Sequence, residues 1–206
     1  MTNDPDLESA YALETAEDAK RLYAAWADSY DEGFGEAQGY VLPREVVRAY
    51  IGLGIIGAVL DVGAGTGLVG EGLVAAGLGP VDGMDLSPEM LDIARGKGIY
   101  RTLIAADVTK PMTLAPYDTI ISAGTFTHGH VGPKGIAMLL DAAQAECQFV
   151  ISVNAEHYKS AGFEEFFEKA ASRITQFALQ DVRIYTDKAD LSHRNDIGRL
   201  VSFRKA

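Results

Sequence analysis

Val59-Leu60-Asp61-Val62-Gly63-Ala64-Gly65-Thr66-Gly67 reads as an apolar strand running into closely spaced glycines, after which a helix continues to roughly Ala76. Glycine suits a backbone that must turn sharply and let a ligand approach with no Cβ in the way. Around this stretch, short apolar runs at 58–62, 81–85, 100–106, 117–123 and 148–153 alternate with helical patterns. Such alternation marks βα units feeding a largely parallel sheet, so the fold class is α/β. Ser87 before Pro88 and Glu89 starts one helix, and Gly132-Pro133 starts another whose apolar face is Ile136, Leu139, Leu140 and Ala143.

Towards the ends the pattern changes. Thr15-Ala16-Glu17-Asp18 resembles a capping box, and Ala19, Leu22, Tyr23, Trp26 and Tyr30 follow at helical spacing, which predicts a separate N-terminal helix; Pro43 starts a further one through about Ile51. Phe163, Phe166, Phe167, Ala170, Ile174 and Phe177 keep the helical period and predict a helix covering the sheet. Two β-like runs, 182–186 and 197–203, flank the polar loop 187–196 and predict a hairpin-like pair at one sheet edge. No linker or repeat stands out, so the 206 residues are expected to form a single domain, with a helical cap over 1–55 and the α/β core over 56–206.

Bulk composition narrows the partners. The chain carries 18 basic and 29 acidic residues, a formal net charge of −11, which repels phosphate backbones and anionic lipid surfaces. Nucleic acid is therefore disfavoured as a substrate. The uncharged run 49–60 is too short and glycine-rich to cross a bilayer, and residues 1–6 lack the basic region and apolar core of a secretory signal. A cytoplasmic location is expected. Cys147 is the sole cysteine, in an apolar stretch that suits a buried thiol. Oligomeric state is not legible.

The glycine corner contains Gly65-Thr66-Gly67-Leu68-Val69-Gly70, a formal dinucleotide fingerprint, with Asp85 about 20 residues on. A nicotinamide- or flavin-binding oxidoreductase is thus one reading. Charge favours another. Asp61 at the mouth of its strand suits a cationic amino group and would repel a pyrophosphate. Asp85 can accept hydrogen bonds from both ribose hydroxyls, and Asp107 after Ala106 closes the third strand, where an acceptor meets an adenine amino group. The βα units and the terminal pair also use up nearly the whole chain. These features point to S-adenosylmethionine, with Leu86 and Met90 flanking adenine, though Met90 fits core packing equally well.

With these residues in view, the sequence resembles the class I methyltransferases and, more narrowly, the Williams-Beuren syndrome region methyltransferase-like family. The resemblance rests on Tyr23 with Trp26-Ala27-Asp28-Ser29-Tyr30-Asp31, on 59–70, on Asp85-Leu86-Ser87-Pro88-Glu89-Met90-Leu91, and on Tyr117-Asp118 ahead of Gly124-Thr125-Phe126-Thr127-His128-Gly129-His130. Asn154-Ala155-Glu156-His157-Tyr158 is similar too. It implies a Rossmann-like, mostly parallel seven-stranded sheet whose last strand is antiparallel, and cofactor contacts from Asp61, Gly63, Gly65, Gly67, Asp85 and Asp107. Ala64, Ala106, Val108, Ala123 and Gly124, beside those positions, complete the expected cofactor set together with Tyr30, which otherwise belongs to the N-terminal stripe. The Pro-Gly-Gly turn common before the fifth strand is absent, and 141–148 stands in its place.

Ligands of open α/β sheets bind beyond the C-terminal strand ends, so the acidic positions and the 124–130 loop are expected to converge on one cleft. Methyl transfer needs alignment more than proton chemistry. If a base acts, His128 and His130 are the best candidates, because imidazole titrates near neutrality; a loop histidine bonded to backbone is the favoured reading of each over catalysis. Trp26, His128, His130, Asn154 and His157 are the expected substrate contacts, with core packing the competing reading for Trp26. Two histidines without acidic or cysteine neighbours make an incomplete ligand set, and no metal is expected. The acceptor is expected to be a small molecule, with a protein side chain as the second class. A non-catalytic S-adenosylmethionine-binding module remains an alternative on the same fold.

Overall fold

A computed structural model describes residues 6–13 and 15–206. Residues 1–5 of the leader reading, and the side chains of Ala19 and Asp28 in the N-terminal pattern, lie outside what is described. Seven strands form one sheet: β1 (Val59–Val62), β2 (Val81–Asp85), β3 (Thr102–Ala105), β4 (Thr119–Phe126), β5 (Gln148–Asn154), β6 (Ile174–Arg183) and β7 (Ile197–Lys205), in the order β3-β2-β1-β4-β5-β7-β6. Strands β1 to β5 pair in parallel, and β7 runs antiparallel to both its neighbours. The sequence-predicted fold class is the observed one.

The pleat explains why central strands read as unbroken apolar runs. Successive residues face opposite sides, and helices cover both. Leu60, Ile120 and Phe149 belong to one packed layer with Ile136 and Leu139 of α6 (Pro133–Ala142) and Phe163 and Phe167 of α8 (Phe163–Lys169). Their neighbours Val59, Ile121 and Val150 pack on the other face with Val46, Val47 and Tyr50 of α3 (Leu42–Leu53) and Leu73 of α4 (Leu68–Ala75). Helix α3 therefore sits on the sheet. The chain ahead of it, α1 (Leu7–Tyr11), α2 (Ala16–Trp26) and a π-helical turn over Tyr30–Glu36, supplies residues that roof the C-terminal strand ends.

Two boundaries differ from expectation. The phenylalanine stripe is not one helix: α8 stops at Lys169, Ala171–Arg173 forms a 3-10 turn, and Ile174 and Phe177 lie on β6. The edge pair is present, yet β6 begins eight residues earlier than the run starting at Val182 suggested. As a solvent-exposed edge strand, it carries little of the alternation that betrays a half-buried one. Among the described residues, no helix is long and apolar enough to cross a membrane.

Candidate cofactor and acceptor site

Strand order reverses at β1, whose neighbours are β2 on one side and β4 on the other, and a cleft opens there beyond the strand tips. The glycine corner forms its floor. Gly63 and Ala64 both donate backbone N–H groups to the carbonyl of Met84, which ties the corner to β2. Gly63 has φ +71°, and a Cβ there would lie 1.8 Å from Thr125 Oγ1, so any side chain would force β4 away. Thr125 and Ser122 donate their hydroxyls to the Val62 carbonyl at 3.0 and 2.6 Å. By contrast, a Cβ at Gly65 (φ +54°) would meet nothing within 4 Å. Here backbone is left bare against open space.

Asp85 lines the cleft at the tip of β2. Its Oδ2 accepts the Gly65 N–H and its Oδ1 the Ser87 N–H, each at 2.8 Å. The carboxylate is thus aimed by backbone on both sides, with lone pairs to spare. Burial raises its pKa, and those N–H donors hold the rise back. Ser87 caps α5 (Pro88–Gly96) by accepting from the Met90 N–H, as the sequence predicts. Asp107 lines the cleft after β3; burial works against its charge, but Thr109 donates both its N–H and its hydroxyl and the pKa ends lowered. An ionised acceptor therefore stands there.

Of the remaining cofactor candidates, Tyr30, Gly63, Ala64, Gly65, Leu86, Met90, Ala106, Val108, Ala123 and Gly124 all line the same cleft. Two do not. Gly67 lies behind the corner at φ +104°, where a Cβ would come within 3.0 Å of Ile99 and 3.2 Å of Tyr100, and it serves as the N-cap residue of α4. Asp61 is fully buried beneath the corner instead of standing at its mouth. The Tyr100 hydroxyl donates to its Oδ2 at 2.6 Å, while Oδ1 has no protein partner. Burial pushes the Asp61 pKa up to about 7, against the pull of the Tyr100 hydrogen bond. Tyr100 fits because Gly70 and Gly83 leave room for its ring, where a Cβ would approach to 2.5 and 3.1 Å. Nothing in the sequence marks this tyrosine, which precedes β3 instead of starting it.

The expected substrate contacts also divide. His128, His130 and Asn154 line the cleft. His128 is exposed at its rim, and its ring centroid is 6.4 Å from that of His157. His157 lies outside the lining, with Nε2 3.2 Å from the Val131 carbonyl. Trp26 is 2% exposed and packs with the α3 layer, away from the cleft, so its indole serves the core. Sequence reasoning missed Tyr40, Tyr185 and Ser152, which line the cleft as well. Tyr40 follows the π-helical turn, and Tyr185 follows β6 and pairs with it through an isolated bridge; no local signal announces contacts made so far apart in the chain. Among the described residues no group of three histidine, cysteine or acidic side chains is placed to hold a metal.

Known proteins match this arrangement. A family model described as a methyltransferase domain matches residues 59–144. Human methyltransferase-like protein 27 is 31% identical over 125 residues, covering 57% of this chain; the match spans about half, 51%, of that relative's length. Magnesium protoporphyrin IX methyltransferase from Synechocystis PCC 6803, solved with S-adenosylmethionine bound, superposes with a TM-score of 0.64 at 18% identity, covering 95% of this chain and 99% of that one. The 1,6-didemethyltoxoflavin-N1-methyltransferase of Burkholderia thailandensis, solved with bound 1,6-didemethyltoxoflavin and S-adenosylhomocysteine, gives 0.62 at 21% identity, covering 98% of this chain and 94% of that one. The match to a methyltransferase domain over residues 59–144 thus falls on the glycine corner, Asp85 and Asp107, in a chain whose Rossmann-like fold is that of these solved methyltransferases.

Proposed function

We propose that the chain is an S-adenosylmethionine-dependent methyltransferase acting on a small molecule. The observation that carries this reading is Asp85, a carboxylate fixed by two backbone N–H groups beside a glycine corner left bare at Gly65. That pair suits a ribose diol lying against backbone. Asp107 would accept from the adenine amino group, with Leu86, Met90 and Val108 as its apolar walls. A dinucleotide fits less well, because the corner at the α4 N-terminus is already flanked by carboxylates. Asp31 accepts the Thr66 hydroxyl at 2.6 Å and Asp85 accepts the Gly65 N–H, and a pyrophosphate would have to sit beside both.

When bound, S-adenosylmethionine supplies an electrophilic methyl group on a sulfonium. The chain's own contribution is then to align the acceptor and keep water out. His128 at the rim would take a proton from an acceptor that must lose one. Calorimetry tests the reading. S-adenosylhomocysteine is expected to bind, and Asp85→Ala to weaken it about ten- to a hundredfold, since a charge-assisted hydrogen bond is worth about 1.5–3 kcal/mol. Binding of NAD with no binding of S-adenosylhomocysteine would overturn it in favour of an oxidoreductase, and tight binding without methyl transfer to any metabolite fraction would leave a non-catalytic module.

A further inference from the structure

Along the sheet order β3-β2-β1-β4-β5, Asp107 follows β3, Asp85 ends β2 and Asn154 ends β5. Three strand spacings separate β2 from β5, about 14 Å in all. With a nucleoside held at Asp85 and Asp107, the room left for an acceptor lies towards β4 and β5. Residues two apart on a strand share a face, so Ser152 and Asn154 point the same way, and both line the cleft. Ser152 Oγ accepts the Gly124 N–H at 3.1 Å, which ties the tips of β4 and β5 together.

Asn154 is oriented by backbone. Its Oδ1 accepts the Glu156 and His157 N–H groups at 3.0 and 3.2 Å and caps α7 (Ala155–Ser160). Those two donors fix which way the amide faces, because Nδ2 in the same place would set hydrogen against hydrogen. Nδ2, with two hydrogens to donate, has no partner among the described residues, and unlike Nε2 of His130 it is not sealed from solvent. From this arrangement we infer that Asn154 Nδ2 positions the acceptor by donating to it, so that the acceptor is a small molecule presenting a carbonyl oxygen or an unprotonated ring nitrogen besides the atom methylated. A second atom is required, because a donor on the reacting lone pair would blunt its attack on the methyl group. An amide already held by its oxygen loses little further freedom on binding. An ammonium or other pure donor would meet only hydrogens at Nδ2, and neither group would regain the water it gave up. This inference rests on the methyltransferase reading above, which places the nucleoside at Asp85.

Three substitutions separate the donor from the cap. Asn154→Asp and Asn154→Ser keep an oxygen able to cap α7 and remove the Nδ2 donors, while Asn154→Ala removes both. The assay uses full-length protein, S-adenosylmethionine labelled on its methyl group and, as acceptor source, a dilution series of a small-molecule extract from the cells that make the protein. Wild type that labels nothing in the extract would overturn the small-molecule methyltransferase reading and this inference with it. Given labelling, the Asp and Ser variants are expected to need about three- to tenfold more extract for half-maximal labelling. Their S-adenosylhomocysteine affinity should stay within about twofold of wild type and their melting temperature within about 2 °C. Asn154→Ala should show the same defect with a lower melting temperature. Unchanged half-maximal extract in the Asp and Ser variants would leave Asn154 as a cap alone, and half-maximal labelling by Asn154→Asp at less extract would show that the acceptor presents a donor there. Either result overturns the inference while the methyltransferase reading stands.

Discussion

Asp61 and Asp85 end adjacent strands and differ in what surrounds them. Asp85 faces the cleft with both oxygens fixed by backbone, whereas Asp61 is sealed under the corner with Tyr100 as its hydrogen-bond donor. Folded Asp61 keeps its proton up to about pH 7, while an unfolded aspartate releases it near 3.8. Between those values the folded state binds more protons, so this group's contribution to stability falls as pH rises from about 4 to about 7. Asp61→Asn, which still accepts from Tyr100, is expected to melt close to wild type at pH 4 and about 5 °C above it at pH 8, measured without cofactor. A difference independent of pH would show that Asp61 is not a buried acid. His128→Ala is expected to lower turnover about tenfold or more with S-adenosylhomocysteine affinity unchanged; equal turnover would remove His128 from proton transfer. At this scale the glycines, Asp85 and Asp107 were legible because turn chemistry and charge sign act locally. Tyr100 was not, because its partner lies 39 positions away and the gaps that admit its ring are ordinary glycines on α4 and β2.

Among elements, the least predictable connection joins the roof to the corner. Thr66 donates to Asp31 Oδ1, and Lys97 reaches both Asp31 Oδ2 at 2.6 Å and Glu71 at 2.9 Å. The Lys97 pKa is raised despite burial because these carboxylates hold its charge. The π-helical turn over Tyr30–Glu36 is thereby tied to α4 and to the end of α5. Exposed ion pairs contribute little, but Lys97 is only 19% exposed and links three segments. Asp31→Ala is expected to speed S-adenosylhomocysteine dissociation about three- to tenfold in stopped-flow measurements, Lys97→Ala to do likewise, and the double variant to be no faster than the worse single one. Additive effects would mean that the two residues act separately. Helix starts at Ser87, Pro43 and Pro133 were readable because capping and proline act within one turn. The switch from helix to strand after Lys169 was hidden, since Phe163 to Phe177 continues a helical period by chance into β6.

On the scale of the whole molecule, the parallel core was legible because strands buried on both faces must be apolar throughout, and β6 at the exposed edge shows what is lost when that demand lapses. The acceptor is a different matter, because one fold serves many substrates and the roof is assembled from α2, the π-helical turn and the segment after β6. Net charge adds a constraint that no single element carries. At −11 the chain repels polyanions at long range, and its cleft presents Asp85 and Asp107 to whatever enters. A nucleic-acid ligand would need basic side chains to displace counterions along its backbone, and the lining offers Lys20 alone among the described lysines and arginines. A fluorescein-labelled single-stranded RNA of about 20 nucleotides is therefore expected to show no anisotropy change with protein up to about 10 μM at 150 mM salt, a concentration inside the range of about 1–100 μM at which ordinary non-specific association is seen. Salt-dependent binding there, retained with S-adenosylhomocysteine present, would place a basic surface outside the cleft and return nucleic acid to the candidate acceptors.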